Sequence, residues 1–487
     1  MDTRLFAADL LDMLPELTLF IAIIIISLLD LFWPKNASKK GIGVLTLIAL
    51  IVSAGFLIYQ RIHLDGVISL LNDSYLVYHY GILFKLIVLL GVSLIVMMSF
   101  GAIRDKDIPH IGEYYVLLMP AALGAMIMAS SADIITLFIG LELLSISSYI
   151  LVALRKHHTK SNEAAFKYIV LGSIASAFIL YGMSFLYGMG GSTNLFQIGA
   201  TLQSLESSFH PMIYVSFFLL LVGFGFKLAA APFHTWAPEV YSAAPTPVVS
   251  FLAVISKAAM LIFMFMFLPV YFVPLDPVQN LTIYSDVVLT LHVVAAISMI
   301  VGNIVALMQK NVKRLLAFSS IANAGYFLVV LSTDRPGELV YYLVAYLLMT
   351  IGIFAVVTAL ENSAEHQDIS IFSGLYFTAP VTAVMTVILL LSLAGIPLTM
   401  GFLGKFFILL GVIQVKTYWL AAIMIVSSVI SFYYYFRIIR LMFMRSHSEH
   451  TTIKVPVTTM IVIAICVVAT IFFAFFPQYM LSFIEWT

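Results

Sequence analysis

Three lysines and one glutamate stand where hydrocarbon is expected. Lys227 closes one apolar run, Lys257 lies deep in the next, Lys405 sits in GIPLTMGFLGKFF, and Glu142 sits in DIITLFIGLELLSISSYIL. An ionised side chain at the centre of a bilayer costs a few kcal/mol or more, so such residues face a protein interior or a water-filled path and mark routes for ions or protons. The chemistry open to this set is proton transfer. A carboxylate beside a lysine can stay charged and hold the lysine charged, and such a pair shares its titration, which suits moving a proton in steps. A static ion pair is the plainer alternative. Ser145 and Tyr149 fall at i+3 and i+7 from Glu142 and extend a narrow polar stripe on its helix. Lys257 follows roughly twelve apolar residues, which at about 1.5 Å each places it about 18 Å from the helix start, beyond the reach of snorkelling. Lys85 is only about six residues into its run, so its ammonium is expected to snorkel to the interface. His234 follows Lys227 in the break PFHTWAP, where a packed loop histidine competes with a proton relay and the neighbouring lysine favours the relay.

The elements that must position these residues are transmembrane helices. The chain has 487 residues, 62% of them hydrophobic and 10% charged, with zero net charge, and a mean hydropathy of +1.08. That is far from soluble composition, in which about a quarter of residues are charged. Runs of roughly twenty apolar residues, enough to cross about 30 Å of hydrocarbon, fall near 15–33, 42–60, 79–100, 113–130, 134–154, 163–188, 211–231, 245–270, 286–308, 313–332, 338–361, 374–396 continuing brokenly to 415, 418–443 and 455–481. The spacing predicts an all-α polytopic membrane protein of about fourteen transmembrane helices. The seventh run is interrupted around Pro232 and Pro238, and the twelfth around Gly395, Pro397, Gly401 and Gly404. Gly/Pro-broken spans in corresponding halves are the signature of repeat-built transporters. Five spans separate the two, an odd number, so the second copy is inverted. This predicts one integral membrane domain over 1–487, with a first repeat at about 113–270, a second at about 286–443, and flanking helices over 15–100 and 455–481.

Orientation follows from the basic residues, which short cytoplasmic loops retain. Lys35, Lys39, Lys40, Arg104, Lys106, Arg155, Lys156, Lys160, Lys167, Lys310, Lys313, Arg314, Arg437, Arg440, Arg445 and Lys454 lie in or beside the loops after odd-numbered spans, whereas the opposite side has Arg4, Arg61, Arg335 and Lys416. Both termini are therefore expected outside. The acids before the first run, Asp9, Asp12 and Glu16, and the lack of a small-residue cleavage pattern indicate a retained span rather than a signal peptide.

Several classes are disfavoured. There is no basic face for nucleic acid. The single cysteine, Cys466, excludes an internal disulfide, a four-cysteine zinc site and an iron–sulfur cluster held by this chain alone. The eleven histidines include no obvious metal set, and only His234 and His292 lie within or beside the later apolar runs. Electrons are not expected to pass through this polypeptide. The mixed run Arg104, Asp105, Lys106, Asp107 reads as a solvated loop, and Glu361, Glu365 and Asp368 as an inside loop without a metal motif.

Taken together, the fourteen runs, Glu142, the lysines on two broken spans and PFHTWAPEVYSAAPTPV resemble the antiporter-like membrane subunits of respiratory complex I, the NADH-quinone oxidoreductase. The resemblance covers nearly the whole chain and is carried by segments near 134–155, 223–257, 310–326 and 395–406, including KRLLAFSS at Lys313–Ser320 and Gly325–Tyr326. It implies a proton-translocating subunit in a bacterial cell membrane, with Glu142 partnering Lys227, Lys257 at the centre, Lys405 on the outward-leading half and His234 a possible relay. It also implies that this chain binds no cofactor or metal, that NADH, FMN, iron–sulfur clusters and quinone belong to partner subunits, and that its partners are lipid and other antiporter-like and small membrane subunits. Glu239 stands where the family usually has aspartate, and Asn323 where relatives often have histidine. The rival readings are a cation/proton antiporter subunit of the Mrp type without a redox partner, and a structural spacer whose lysines sit in fixed ion pairs.

Overall fold

Inside a bilayer no water is available to backbone N–H and C=O groups, so an apolar run must satisfy them internally, as a helix does. The computed structural model describes residues 9–34, 38–101, 103, 108–156, 158–276, 281–333, 335–362, 367–444 and 455–485. Among these, thirteen helices are long and apolar enough to cross a membrane. The first six are Leu14–Phe32, Lys40–His63, His79–Ser99, Ile111–Ser130, Ile134–Val152 and Thr159–Gly190. The seventh, His210–Leu228, breaks and continues as Trp236–Ala243. Thr246–Tyr271, Ile283–Met308, Val312–Leu331 and Pro336–Glu361 are the eighth to eleventh, and Tyr418–Met444 and Val457–Phe475 the last two. Between them, Pro380–Ala394 and Met400–Gln414 form the two halves of the broken twelfth span. Fourteen spans in all agree with the hydropathy pattern. Lys35, Arg104, Asp105, Lys106, Asp107, Glu365, Arg445, Lys454 and Arg4 lie outside the described residues.

The fourteenth run ends earlier than its hydropathy suggests: the helix stops at Phe475, and Pro477, which fits the start of a helix but not its interior, opens a separate nine-residue helix to Glu485. Two antiparallel ribbons interrupt the all-helical pattern, Ile68–Leu70 with Tyr75–Val77 and Pro274–Asp276 with Leu281–Thr282. Both lie at the end opposite the basic loops.

Corresponding pairs of spans approach closely in the two halves. A Cβ on Gly124 of the fourth span would stand 2.5 Å from the Gly140 carbonyl of the fifth, and one on Gly302 of the ninth 2.5 Å from the Ala322 amide of the tenth. Only glycine permits either approach, and the two contacts lie five spans apart. The basic loops gather at one end: Lys156 reaches Glu113 at 3.5 Å, Lys167 reaches Glu239 at 2.8 Å, and Arg437 donates to the Leu307 carbonyl at 3.3 Å.

The eighth, tenth and eleventh spans form the centre, with 89%, 94% and 94% of their most apolar stretch buried, against 22% for the first and 33% for the fourteenth. Lys257 therefore has protein, not lipid, on every side.

Candidate functional site

Lys227, Lys257 and Lys405 are all buried, at 4%, 1% and 8% exposure, and each donates to neutral oxygens. None of the three makes a salt bridge among the described residues.

Lys227 stands in the last turn of the first half of the seventh span. Its Nζ donates to Ser145 Oγ at 2.6 Å and to Tyr149 OH at 3.1 Å, both on the fifth span, and lies 5.4 Å from the centre of the Tyr149 ring. The polar stripe read from the sequence is thus the lysine's cradle. Gly172 of the sixth span makes room for it, because a Cβ there would fall 2.1 Å from the Tyr149 hydroxyl. Glu142 does not pair with Lys227 directly; its Oε1 instead accepts from Ser176 Oγ of the sixth span at 2.5 Å. The carboxylate is half-buried beside a bare apolar strip of Ile135, Ile139, Ile146 and Ile150. The helix end at the break has other partners: Trp236 Nε1 donates to the Phe226 carbonyl at 2.7 Å, and the Ala231 amide donates to Ser298 Oγ at 2.9 Å.

His234 is half-buried and faces Phe318 of the tenth span, with 6.3 Å between ring centres. Its Nδ1 has no hydrogen-bond partner among the described residues. The structure records no bond between it and Lys227.

Lys257 follows a π-helical turn, Leu252–Ser256, a distortion frequent at functional sites. Its Nζ donates to the Ser320 carbonyl of the tenth span at 2.6 Å. Beyond it lies a set of polar groups that sequence reasoning missed. Ser320 Oγ pairs with Tyr346 OH at 2.7 Å, Tyr342 OH donates to Asn323 Oδ1 at 2.6 Å, Asn323 Nδ2 donates to the Ser319 carbonyl at 2.9 Å, and Ser319 Oγ bonds Tyr435 OH. Asn323, which stands where relatives often have histidine, is bonded through both its amide nitrogen and its amide oxygen in this set.

Lys405 lies in the second half of the twelfth span and donates to the Leu393 carbonyl at the end of the first half, at 2.8 Å. Gly395, with φ of 81°, ends that half in the left-handed conformation, its amide bonding back to the Leu391 and Ser392 carbonyls, and the end of the helix leaves the Leu393 and Ala394 carbonyls without intrahelical partners. Lys405 takes one of them, and Ser428 and Ser431 share the Ala394 carbonyl at 3.2 and 3.4 Å. Nζ also lies 5.1 Å from the centre of the Tyr326 ring. A cavity of about 410 Å³ between the twelfth and thirteenth spans reaches Lys405, Tyr326 and Ser428 past Phe406 and Val429.

Two lysines depart from expectation. Lys85 does not snorkel: it is 1% exposed, pairs with Glu16 at 2.6 Å and donates to Tyr75 OH at 2.9 Å. A buried carboxylate on the first span gives its ammonium a partner that the interface would otherwise supply. Lys313, counted among loop cations, is fully buried and pairs with Glu361 at 3.2 Å.

The family described as NADH:quinone oxidoreductase/Mrp antiporter, TM, matches residues 131–431. The chain is 47% identical to the NADH-quinone oxidoreductase subunit N of a Paenibacillus species, over 98% of this chain and 96% of the relative. It is 45% identical to the subunit N of Brevibacillus brevis, over 99% and 96%. Among solved structures it resembles a chain of respiratory complex I from Thermus thermophilus with bound aureothin, at 30% identity and a TM-score of 0.81 over 96% of this chain and 98% of that one. A chain of the Mrp complex from Dietzia shares the fold, with a TM-score of 0.78 at 18% identity over 98% and 96%.

Proposed function

The chain belongs to the NADH:quinone oxidoreductase/Mrp antiporter family of membrane subunits, on its subunit N branch, and from that premise we propose that it acts as a translocase, moving protons outward through Glu142, Lys227, Lys257 and Lys405. Quinone reduction occurs in other subunits, which hold NADH, FMN, iron–sulfur clusters and quinone, and drives these steps from outside this chain. The membrane is the bacterial cell membrane, with the basic loops inside and both termini outside.

The observation that carries this reading is the state of the three lysines: each is buried, and each rests on neutral oxygen rather than a carboxylate. Fixed ion pairs, as a structural spacer would use, are absent from all three positions among the described residues. A lysine held by hydroxyls and carbonyls can lose its proton without leaving a carboxylate bare.

Glu142 supplies the drive. Moving a unit charge against 100 mV takes about 2.3 kcal/mol. Glu142 is parted from Lys227 here; at about 4 Å in surroundings of effective dielectric about 20 the pair is worth about 4 kcal/mol, the upper limit of what a change in their separation supplies and above that requirement. A half-buried carboxylate on an apolar strip is costly against lipid, so a partner membrane subunit covers that face, and its movement sets the Glu142–Lys227 separation. His234 relays between Lys227 and the solvent of the break.

The test is proton pumping by the assembled complex in sealed vesicles, with quinone reductase activity followed in parallel, for wild type and Lys257→Ala. Pumping falls with the complex still assembled. Unchanged pumping and unchanged reductase activity would leave the spacer reading in its place. Sodium-driven transport by the chain without any redox partner would favour the Mrp-type antiporter instead.

A further inference from the structure

Protons carried by Lys257 must reach it from the inner phase, at the basic end of the eighth span. The eighth span enters at Thr246, between Pro245 and Pro247, and its first turn meets the buried Lys313–Glu361 pair. Lys313 Nζ lies 3.2 Å from Glu361 Oε1, donates to the Ala244 carbonyl at 3.1 Å and approaches Thr246 Oγ1 at 3.4 Å. With its amide oriented to suit both neighbours, Gln367 accepts from Lys313 at 3.1 Å and donates to the Ser242 carbonyl at 3.2 Å. Thr246 donates its hydroxyl to Glu361 Oε2. Lys313 is fully buried while Glu361 keeps 16% of its side chain exposed, so the pair presents its carboxylate to water and its ammonium to the protein.

A second observation lies one turn further in. Ser250 is fully buried, and its Oγ has no hydrogen-bond partner among the described residues. It stands at i+4 from Thr246, on the same helix face, and seven residues before Lys257. Buried hydroxyls are nearly always bonded, and an unbonded one marks a place for water. The basic end of the eighth span thus carries an acid at the water boundary, a hydroxyl bonded to that acid, an unsatisfied hydroxyl one turn deeper, and then the lysine.

We propose that Glu361, gated by Lys313, is the proton uptake site for Lys257, with Thr246 and a water at Ser250 as the steps between. This rests on the reading of Lys257 as a proton carrier. When Lys313 leaves Glu361 and keeps its bond to the Ala244 carbonyl, the carboxylate takes a proton from inner-phase hydronium. The Thr246 hydroxyl then turns, accepts from the new carboxylic acid and donates its own hydrogen inward. Water at Ser250 passes one proton on to the neutral Lys257 amine, which becomes the ammonium. Glu361 is again a carboxylate and re-pairs with Lys313, so one proton has moved and no other bond has changed.

The experiment compares Glu361→Gln, Glu361→Asp, Thr246→Val and Ser250→Ala with Lys257→Ala in the assembled complex, measuring complex content, pumping and quinone reductase activity at several inner-side pH values. Glu361→Gln is expected to lower pumping about fivefold or more, the loss of one productive hydrogen-bonded step. The loss deepens as inner-side pH rises, because proton supply becomes limiting, and Glu361→Asp restores most of it. Thr246→Val and Ser250→Ala lower pumping about two- to fivefold with the ion pair intact. Wild-type pumping and pH profile in Glu361→Gln, with Lys257→Ala defective, overturn the uptake site and leave the path standing. Wild-type pumping in Lys257→Ala overturns the path itself. If Glu361→Gln fails to assemble, unchanged pumping in both Thr246→Val and Ser250→Ala overturns the proposal.

Discussion

At the seventh span the lysine stands before the break and leaves the helix end to other residues; at the twelfth it stands after the break and closes the helix end itself. Trp236 and Ser298 serve the interrupted backbone of the seventh span, so Lys227 can rest on two side-chain hydroxyls of a neighbouring helix. Lys405 is bonded across its own break to the Leu393 carbonyl. Hydroxyls rotate and can exchange protons, whereas a carbonyl only accepts. A carboxylate, Glu142, stands on the helix that cradles Lys227; Lys405 has instead a cavity. On the proposed path, the first site would have its proton load altered by a neighbour, and the second would hold a proton until a route opens.

The most severe way to break this comparison is to remove each lysine. Lys405→Ala deletes a charge-assisted bond and leaves the buried Leu393 carbonyl unpaired, so a stability loss of about 1–3 kcal/mol is expected along with a pumping loss of about tenfold to a hundredfold. Lys227→Ala leaves its helix end intact and is expected to lose pumping with little change in thermal stability. Equal stability losses in the two variants would erase the distinction. Next comes coupling. Glu142→Gln is expected to lower pumping about fivefold and to be non-additive with Lys227→Ala, but additive with Lys405→Ala within about 0.5 kcal/mol of rate effect. Additivity with both would detach Glu142 from Lys227.

A packing change sharpens the same contrast. Gly172→Ala would force its Cβ against the Tyr149 hydroxyl, displacing the acceptor without touching Lys227, at a cost of about 1–3 kcal/mol. Pumping is expected to fall by more than on removal of that hydroxyl alone. A variant that pumps normally would mean that Tyr149 has room to move, and the cradle is looser than its contacts indicate.

Much of this arrangement was legible in the chain, for physical reasons. Fourteen spans follow from hydropathy because each must satisfy its own backbone, and Gly395, Pro397 and Pro232 marked the breaks because they cannot continue a helix there. Lys257 and Glu142 stood out because long apolar flanks leave a charge no route to water. The pairing of Lys85 with Glu16 was not legible, since it joins the first and third spans and snorkelling explains the same local pattern. Lys313 was read as a loop cation because it lies one residue into its helix; only the packing of the segment at Ala244–Thr246 and of the eleventh span's end buries it. The tyrosines and serines beyond Lys257 were invisible for another reason. Tyr342, Tyr346 and Ser320 suit an apolar helix as well as a polar path, and only the facing spans decide which.

The finest comparison uses two tyrosines whose rings lie close to their lysines, with 5.4 Å from Nζ to the ring centre for Tyr149 and 5.1 Å for Tyr326. Their hydroxyls differ. That of Tyr149 accepts from Lys227, whereas that of Tyr326 turns away and donates to the Met424 carbonyl of the thirteenth span at 3.0 Å. Phenylalanine keeps the ring and its attraction for a cation, so each substitution removes only the hydroxyl. Tyr149→Phe takes one of two acceptors from Lys227 and is expected to slow pumping about fivefold, equivalent to about 1 kcal/mol. Tyr326→Phe takes nothing from Lys405 and is expected to change pumping less than about twofold, with a stability loss of about 1 kcal/mol from the unpaired Met424 carbonyl. Equal pumping losses in the two variants would mean that the Tyr326 hydroxyl turns to Lys405 during turnover, and that the second lysine, like the first, is carried by a side chain that can exchange its proton.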